Sequence, residues 1–285
     1  RVVLGYETSA GYRDNPHHLG VMVGRCANRI GGGRFRLDGR EHRLICNEAD
    51  RTTLHGGPKG FGKRIWRIVE AEVDTVELAL TSEDGDQGFP GRAEVRCRYR
   101  LTEAATLEIT ARATTDAPTP MNLTNHAYFT LDEGGDCRAH TLRIAADHYT
   151  PVDAALIPTG AVAPVAGTPF DFRDARPIGE DYDVPFVLDG APGEMIEAAR
   201  VVSPDGRLAL EVLTDQPSLQ LYTAIHLGHS DLALTGQRHG RNAGLCLETQ
   251  GLVDAPNKRH FASVTLRPGE TYRHATTYRF VADPA

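Results

Sequence analysis

A carboxylate in the middle of an apolar strand is the sharpest chemical signal in this sequence. In Leu245-Cys246-Leu247-Glu248-Thr249-Gln250, the two-residue period of a strand puts Cys246, Glu248 and Gln250 on one face. A buried charge there is costly unless it is hydrogen-bonded or has a role. A second segment, Met121-Asn122-Leu123-Thr124-Asn125-His126-Ala127-Tyr128-Phe129, reads as an apolar strand. Asn122, Thr124 and His126 share one of its faces, and Leu123, Asn125 and Ala127 the other. Such a polar face either meets solvent or lines a polar cavity. A glutamate and a histidine together supply a general base and a general acid, the minimum needed to move protons at a neutral substrate.

Two further segments are unusual. Gly24-Arg25-Cys26-Ala27-Asn28-Arg29-Ile30-Gly31 sets two arginines and an asparagine among apolar residues and glycines. A solvated turn accounts for that pattern as well as a binding loop does. In Leu54-His55-Gly56-Gly57-Pro58-Lys59-Gly60-Phe61, the glycines beside His55 permit close approach of backbone or ligand. The phosphate-loop spacing is absent, and a structural His in a turn remains an alternative. His226-x-x-His229 with His239, and the pair His17-His18, lie in loops without metal-ligand spacing. No metal site, nucleophile elbow or dinucleotide fingerprint is therefore read, and no cofactor is expected.

The elements that must position these groups are short strands. Val76–Leu80, Ala93–Tyr99, Thr106–Ala111, His140–Ile144, Leu208–Leu213 and Leu219–Thr223 are rich in alternating apolar and polar residues. Asp38-Gly39 between Arg34–Leu37 and His42–Ile45 signals a type I′ hairpin. Val264–Leu266 and Thr271–Phe280 read as a closing hairpin. No window holds a helical period beyond about two turns. Gly (29) and Pro (17) make up about one residue in six, which favours a turn-rich β protein. The fold class expected is all-β: one antiparallel sandwich of two packed sheets over residues 1–285.

Composition sets the outer limits. A net charge of −7 offers no basic surplus for nucleic acid or an anionic membrane. No apolar run approaches the ~18 residues of a membrane-spanning helix. The 40% hydrophobic and 24% charged residues are those of a globular chain. Five scattered cysteines, Cys26, Cys46, Cys97, Cys137 and Cys246, suit reduced thiols in a cytoplasm better than a disulfide framework. The chain opens on Arg1-Val2-Val3-Leu4-Gly5-Tyr6, which reads as the middle of a longer sequence.

Read jointly, the motifs resemble the aldose 1-epimerase (galactose mutarotase) family. The resemblance rests on Gly24-Arg25-x-Ala27-Asn28-Arg29-Ile30, on Leu54-His55-Gly56-Gly57, and on Asn122-Leu123-Thr124-Asn125-His126-x-Tyr128-Phe129. Tyr149–Asp153, Pro169–Phe172, Tyr182-Asp183, Gln220-x-Tyr222-Thr223 and Cys246–Gln250 with Asp254–Asn257 follow in family order. The match runs from Val2 to Phe280, and its joint specificity is high.

The resemblance implies a large antiparallel supersandwich and the interconversion of α and β anomers of a free aldohexose of glucose or galactose type. It implies Glu248 as the base at the C1 hydroxyl, His126 as the acid at the ring oxygen, and His55 as a second histidine that holds the sugar and assists. Arg29, Asn28, Asp183 and Gln220 match positions that bind sugar hydroxyls. In this scheme Glu248 rests ionised and His126 protonated, each favoured by the other's charge. The partner expected is a small sugar, with the protein a monomer or homodimer.

Three departures accompany the match. Family members usually carry some tens of residues before the Val-Leu-Gly-Tyr segment, so early strands are expected to be missing here, with a sheet edge or core face left incomplete. Val184-Pro185 follows Asp183 where His-Asn is common, and Ala224-Ile225 follows Thr223 in place of Gly-Asn. A non-catalytic sugar-binding module on the same fold is the alternative, distinguished by binding without rate acceleration. A glycoside-cleaving enzyme using Glu248 and Asp183 is a third reading.

Overall fold

Alternating burial sorts most of the strands into two main sheets in the computed structural model, which describes residues 1–102, 105–132, 135–230 and 232–284. The larger is a nine-stranded antiparallel sheet. Its strands run, edge to edge, Arg176–Pro177, Thr141–Ile144, Ile196–Val202, Leu208–Thr214, Tyr272–Ala282, Thr106–Thr115, Ala93–Thr102, Thr75–Ser82 and Arg67–Ala71. The smaller has five strands, in the order Ala163–Pro164, His148–Tyr149, Asp183–Val187, Ser218–Tyr222 and Cys246–Gln250. Four two-stranded pairs, one helix, Ser9–Asp14, and four short 3₁₀ turns complete the regular structure of the described residues. The all-β expectation is met.

The inner faces of the two sheets make the core. Val95, Ile109, Ala111, Val212 and Tyr278 of the large sheet belong to one buried cluster with Leu219, Leu221 and Leu247 of the small one. The hydroxyl of Tyr278 donates to the Leu247 carbonyl at 3.5 Å, and the Thr249 hydroxyl meets His274 Nε2 at 3.0 Å. Leu247 and Thr249 thus face inward, and strand alternation turns Cys246, Glu248 and Gln250 outward onto the far face. Gln220 pairs directly with Glu248 in the neighbouring strand and shares that face. A core leucine such as Leu247 contributes about 2–5 kcal/mol against truncation to alanine. Its packing also sets the direction in which Glu248 points.

Several expectations need correction. Thr265–Leu266 pairs with Thr119–Pro120, whereas Tyr272–Ala282 lies between Leu208–Thr214 and Thr106–Thr115, so the two segments form no hairpin. Of Met121–Phe129 only Thr124–Asn125 is strand. The rest crosses between elements, with bridges from Asn122 to Cys26 and from Phe129 to Val3 and Leu245. Its polar residues therefore do not share one face. Asn122 is held by the backbone of Gly251, and among Asn122, Thr124 and His126 only His126 reaches the cavity described below. The hairpin at Asp38-Gly39 forms as read, with φ of 48° and 81° at the two turn residues, but its second strand is Arg40–Arg43.

Arg25 is structural. Its guanidinium is buried and donates to the carbonyls of Pro90, Gly91, Ser82 and Glu83 and to the hydroxyls of Ser82 and Thr119. The glycine next to His55 serves backbone approach. A Cβ on Gly56 would lie 1.9 Å from the Gly24 carbonyl oxygen, and its φ is +80°. Together these contacts lock the Gly24–Ile30 loop against the His55 loop.

Candidate functional site

The outward face of the Cys246–Gln250 and Ser218–Tyr222 strands forms the floor of a cavity of about 190 Å³. Glu248 lies there with Asp183, Tyr222, His126 and Tyr128, and the walls include Asn28, Arg29, Glu48, His55, His17, His18 and His226. Of the residues singled out in the sequence, Glu248, His126, His55, Arg29, Asn28 and Asp183 line this one space. Gln220 stands beside it through its bond to Asp183.

Glu248 and His126 approach closely. His126 Nε2 lies 3.7 Å from Glu248 Oε1, with both side chains almost fully buried. Glu248 Oε2 has no hydrogen-bond partner, and neither does Gln220 Oε1. The unpartnered Glu248 oxygen faces the cavity and Gln220 Oε1 lies beside it, and buried acceptors without protein donors are suited to ligand hydroxyls. On its other side His126 Nδ1 sits 3.5 Å from the Cys246 thiol, and Tyr128 stacks on the ring at 5.1 Å. A thiol donating to Nδ1 leaves the ring proton on Nε2, directed at Glu248.

The second histidine is fixed by the first loop. His55 Nδ1 accepts the backbone N–H of Asn28 at 3.3 Å, and the His55 N–H donates to the Asn28 carbonyl at 3.0 Å. With Nδ1 an acceptor, the proton of a neutral His55 ring is on Nε2. His55 meets His126 edge-on at 5.2 Å. Asn28, His55 and His18 all have φ between 51° and 59°, a conformation unfavourable outside glycine that often marks functional loops. Asn28 Oδ1 accepts the Arg29 N–H, which leaves its amide nitrogen as the group available to a ligand.

Arg29 anchors the anionic side. Its Nε and Nη2 form a two-pronged bond with Glu48, each at 2.8 Å, and Nη1 lies 3.8 Å from Asp183 Oδ2. Asp183 Oδ1 accepts from Gln220 Nε2 at 2.5 Å. Burial disfavours the Arg29 charge, but the Glu48 hydrogen bond and the nearby carboxylates outweigh it and raise its pKa.

Electrostatics correct one expectation. Burial, reinforced by the Asp183 charge, pushes Glu248 up to about 8, with Arg29 opposing. Burial, with His18 nearby, pushes His126 down to about 3. Desolvation dominates both groups, so the cavity favours an uncharged carboxyl and an uncharged imidazole over the ion pair expected from sequence. Asp183 is likewise raised by burial, and His55 is held well below its ordinary value by burial.

Sequence reasoning passed over several lining residues. His18 was weighed only as a metal ligand, yet it packs 4.8 Å from His55 and 5.9 Å from His126. Tyr128 and Tyr222 stood inside recognised motifs without a role. Glu48 carried no signal, because Asn47-Glu48-Ala49-Asp50 reads as a solvated turn. As for metals, His126, Cys246 and Glu248 each offer an atom within 4.8 Å of the others. The His126 ring meets the Cys246 thiol through Nδ1 and Glu248 through Nε2.

Comparison with known proteins agrees with this geometry. The family model described as Aldose 1-epimerase matches residues 1–279. Aldose 1-epimerase of Escherichia coli is 41% identical over 99% of this chain and 85% of its own length. Galactose mutarotase of Rattus norvegicus is 39% identical over 98% of this chain and 83% of its own. The crystal structure of an aldose epimerase homologue from C. elegans superposes with a TM-score of 0.93 at 31% identity, covering 99% of this chain and 88% of that one.

Proposed function

Because the chain belongs to the aldose 1-epimerase family, we propose that its Glu248–His126 cavity is where it opens and recloses a sugar ring. The activity is interconversion of the α and β anomers of a free aldose, an isomerisation. The residue roles are our reading. The observation that carries it is the 3.7 Å approach of Glu248 to His126 in a cavity where Glu248 Oε2 has no protein partner.

Ring opening removes the proton from the C1 hydroxyl and delivers one to the ring oxygen. Rotation about C1–C2 and closure on the other face complete the exchange. Glu248 takes the hydroxyl proton and His126 supplies the ring-oxygen proton, and the roles reverse on closure. The neutral pair that burial favours and the ion pair this step needs hold the same number of protons. They differ only in whether the proton is on Glu248 or His126. A sugar hydroxyl donating to Glu248 and a ring oxygen accepting from His126 each favour the charged form, so bound substrate shifts the pair towards the reactive state. His55, with its proton on Nε2, steadies the sugar. Arg29, Asp183, Asn28 and Gln220 bind its hydroxyls, and a wrong stereocentre leaves such groups unpaired.

Ala224 has φ of +51°, at the position where the resemblance has glycine. The turn keeps the conformation and adds a methyl group to the wall behind Tyr222, which bears on sugar preference.

A cytoplasmic setting is supported by five free thiols, four of them buried. Among the described residues no helix is long and apolar enough to cross a membrane.

Polarimetry on freshly dissolved α-D-glucose and α-D-galactose tests the assignment. The protein should accelerate the approach to anomeric equilibrium, and His126→Gln should cut that acceleration by about 10²–10⁴-fold, the usual contribution of a general acid. A His126→Gln protein as fast as the wild type refutes the assigned roles.

A further inference from the structure

The face of the large sheet turned away from the cavity carries an arrangement that the sugar chemistry does not use. In the antiparallel register, Arg96 stands opposite Arg112, and Arg112 opposite Arg273, on three adjacent strands. With strands about 4.8 Å apart, three guanidinium-bearing positions span about 10 Å. All three side chains are exposed. Like charges directly opposite one another are destabilising in a sheet. On this face like charges also meet at Arg143–Arg200 and Glu70–Glu77, but each of those four groups has an opposite charge in range. Arg100 lies opposite Glu108 at 3.9 Å, and Glu211 sits between Arg279, which it bonds, and Arg200 at 3.7 Å. In the Arg96–Arg112–Arg273 row Arg96 is held by Glu77 at 2.6 Å, while Arg98, in the next row, has Glu70 at 3.7 Å. Among the described residues Arg112 and Arg273 have no carboxylate in ion-pair range. Arg96, Arg98, Arg112, Thr110 and Glu77 together line a depression of about 210 Å³.

We propose that this depression is an oxyanion site, in which Arg98, Arg112 and the Thr110 hydroxyl hold a phosphate group, with Arg96 and Arg273 adding charge at its margins. Guanidinium groups are suited to tetrahedral oxyanions because each presents paired N–H donors in one plane. Glu77 also lines the depression and bonds Arg96, which leaves Arg98 and Arg112 as the guanidinium groups more open to an anion. The surplus positive charge stands out on a chain whose net charge is −7. The site is separated from the sugar cavity by both sheets, and it does not depend on the catalytic roles assigned above. Free phosphate and the phosphate of a sugar ester present the same chemistry.

The test is thermal unfolding and calorimetry of the wild-type protein with inorganic phosphate, a hexose 6-phosphate, or sodium chloride at matched ionic strength. Near-saturating phosphate should raise the unfolding midpoint by about 3 °C relative to chloride. Arg112→Gln should weaken phosphate binding by about tenfold or more, and in low-salt buffer it should itself unfold at a higher temperature than wild type, because it relieves the facing charges. Arg98→Gln should weaken phosphate in the same way and serves if Arg112→Gln does not fold. Arg100→Gln, from the compensated row, should leave phosphate binding unchanged. A response to inorganic phosphate alone assigns the free ion, and a stronger response to the hexose ester assigns the ester; either supports the site. An equal shift with chloride, or phosphate binding that Arg112→Gln and Arg98→Gln leave intact, overturns it.

Discussion

Replacing Glu248 with glutamine should abolish catalysis and stabilise the fold. The carboxyl is buried against Asp183, which together push it from the ordinary 4.5 to about 8. At pH 7 an unfolded chain carries this glutamate ionised, so folding must return a proton to it. The interval from 4.5 to pH 7, at about 1.4 kcal/mol per pH unit, costs about 3 kcal/mol. Glutamine has the same shape and no such cost. Gln220 Oε1, buried and unpartnered in the facing strand position, can accept its new amide. The sign follows from the raised pKa. The cost is absent below pH 4.5, grows as pH rises, and levels off once pH passes about 8, near about 5 kcal/mol. Urea unfolding followed by the single tryptophan, Trp66, at pH 4.5, 7 and 8.5 should show that gap opening between Glu248→Gln and wild type. Polarimetry should show the catalysed rate falling about 10²–10⁴-fold. A variant no more stable than wild type at pH 7, or a gap that does not change with pH, refutes the argument that desolvation governs this carboxyl.

Other expectations concern the groups around it. Arg29→Met removes the cation 3.8 Å from Asp183 and bonded to Glu48, an attraction of about 4 kcal/mol at an effective dielectric constant near 20. Urea unfolding should register a loss of about 3 kcal/mol, and Arg29→Lys should not restore activity because an ammonium cannot reproduce the two-pronged bond. Acid should weaken the protein as pH falls from 6.5 towards 4. His18 is depressed to about 4, His55 well below its ordinary value and His126 to about 3, all first by burial, so the unfolded chain binds more protons in that window. His18→Gln should lessen the pH slope of unfolding free energy by nearly one proton, and an unchanged slope would contradict its burial as a neutral ring. Arg25→Met strands six buried acceptors and should cost about 3–5 kcal/mol in urea unfolding, with the anomerisation rate of the fraction still folded largely preserved. A proportionate loss of rate per folded molecule would instead give Arg25 a part in catalysis.

Strand periodicity was enough to indicate an all-β sandwich and to put Glu248 on one face of its strand, because alternation is a local property of the chain. The hairpin turn at Asp38-Gly39 was legible for the same reason: two residues with positive φ are selected by residue type. The linked motifs from Gly24 to Asn257 also sufficed to point to the family and to six residues that line the cavity. Pairing between distant strands was not legible. Nothing local separates a closing hairpin from two segments that join different sheets, as Thr265–Leu266 and Tyr272–Ala282 do. Arg25 and Arg29 look alike in sequence. Only folding shows that one is enclosed by carbonyls of the Ser82–Gly91 loop while the other faces Glu48 and Asp183. Protonation was the least accessible property. The charges of Glu248 and His126 depend on how completely the five-stranded sheet and the loops over its outer face remove water from around them, and that exclusion is a sum over residues far apart in the chain. Residue types supplied the acid and the base, and burial in the assembled structure decided which of them holds the proton.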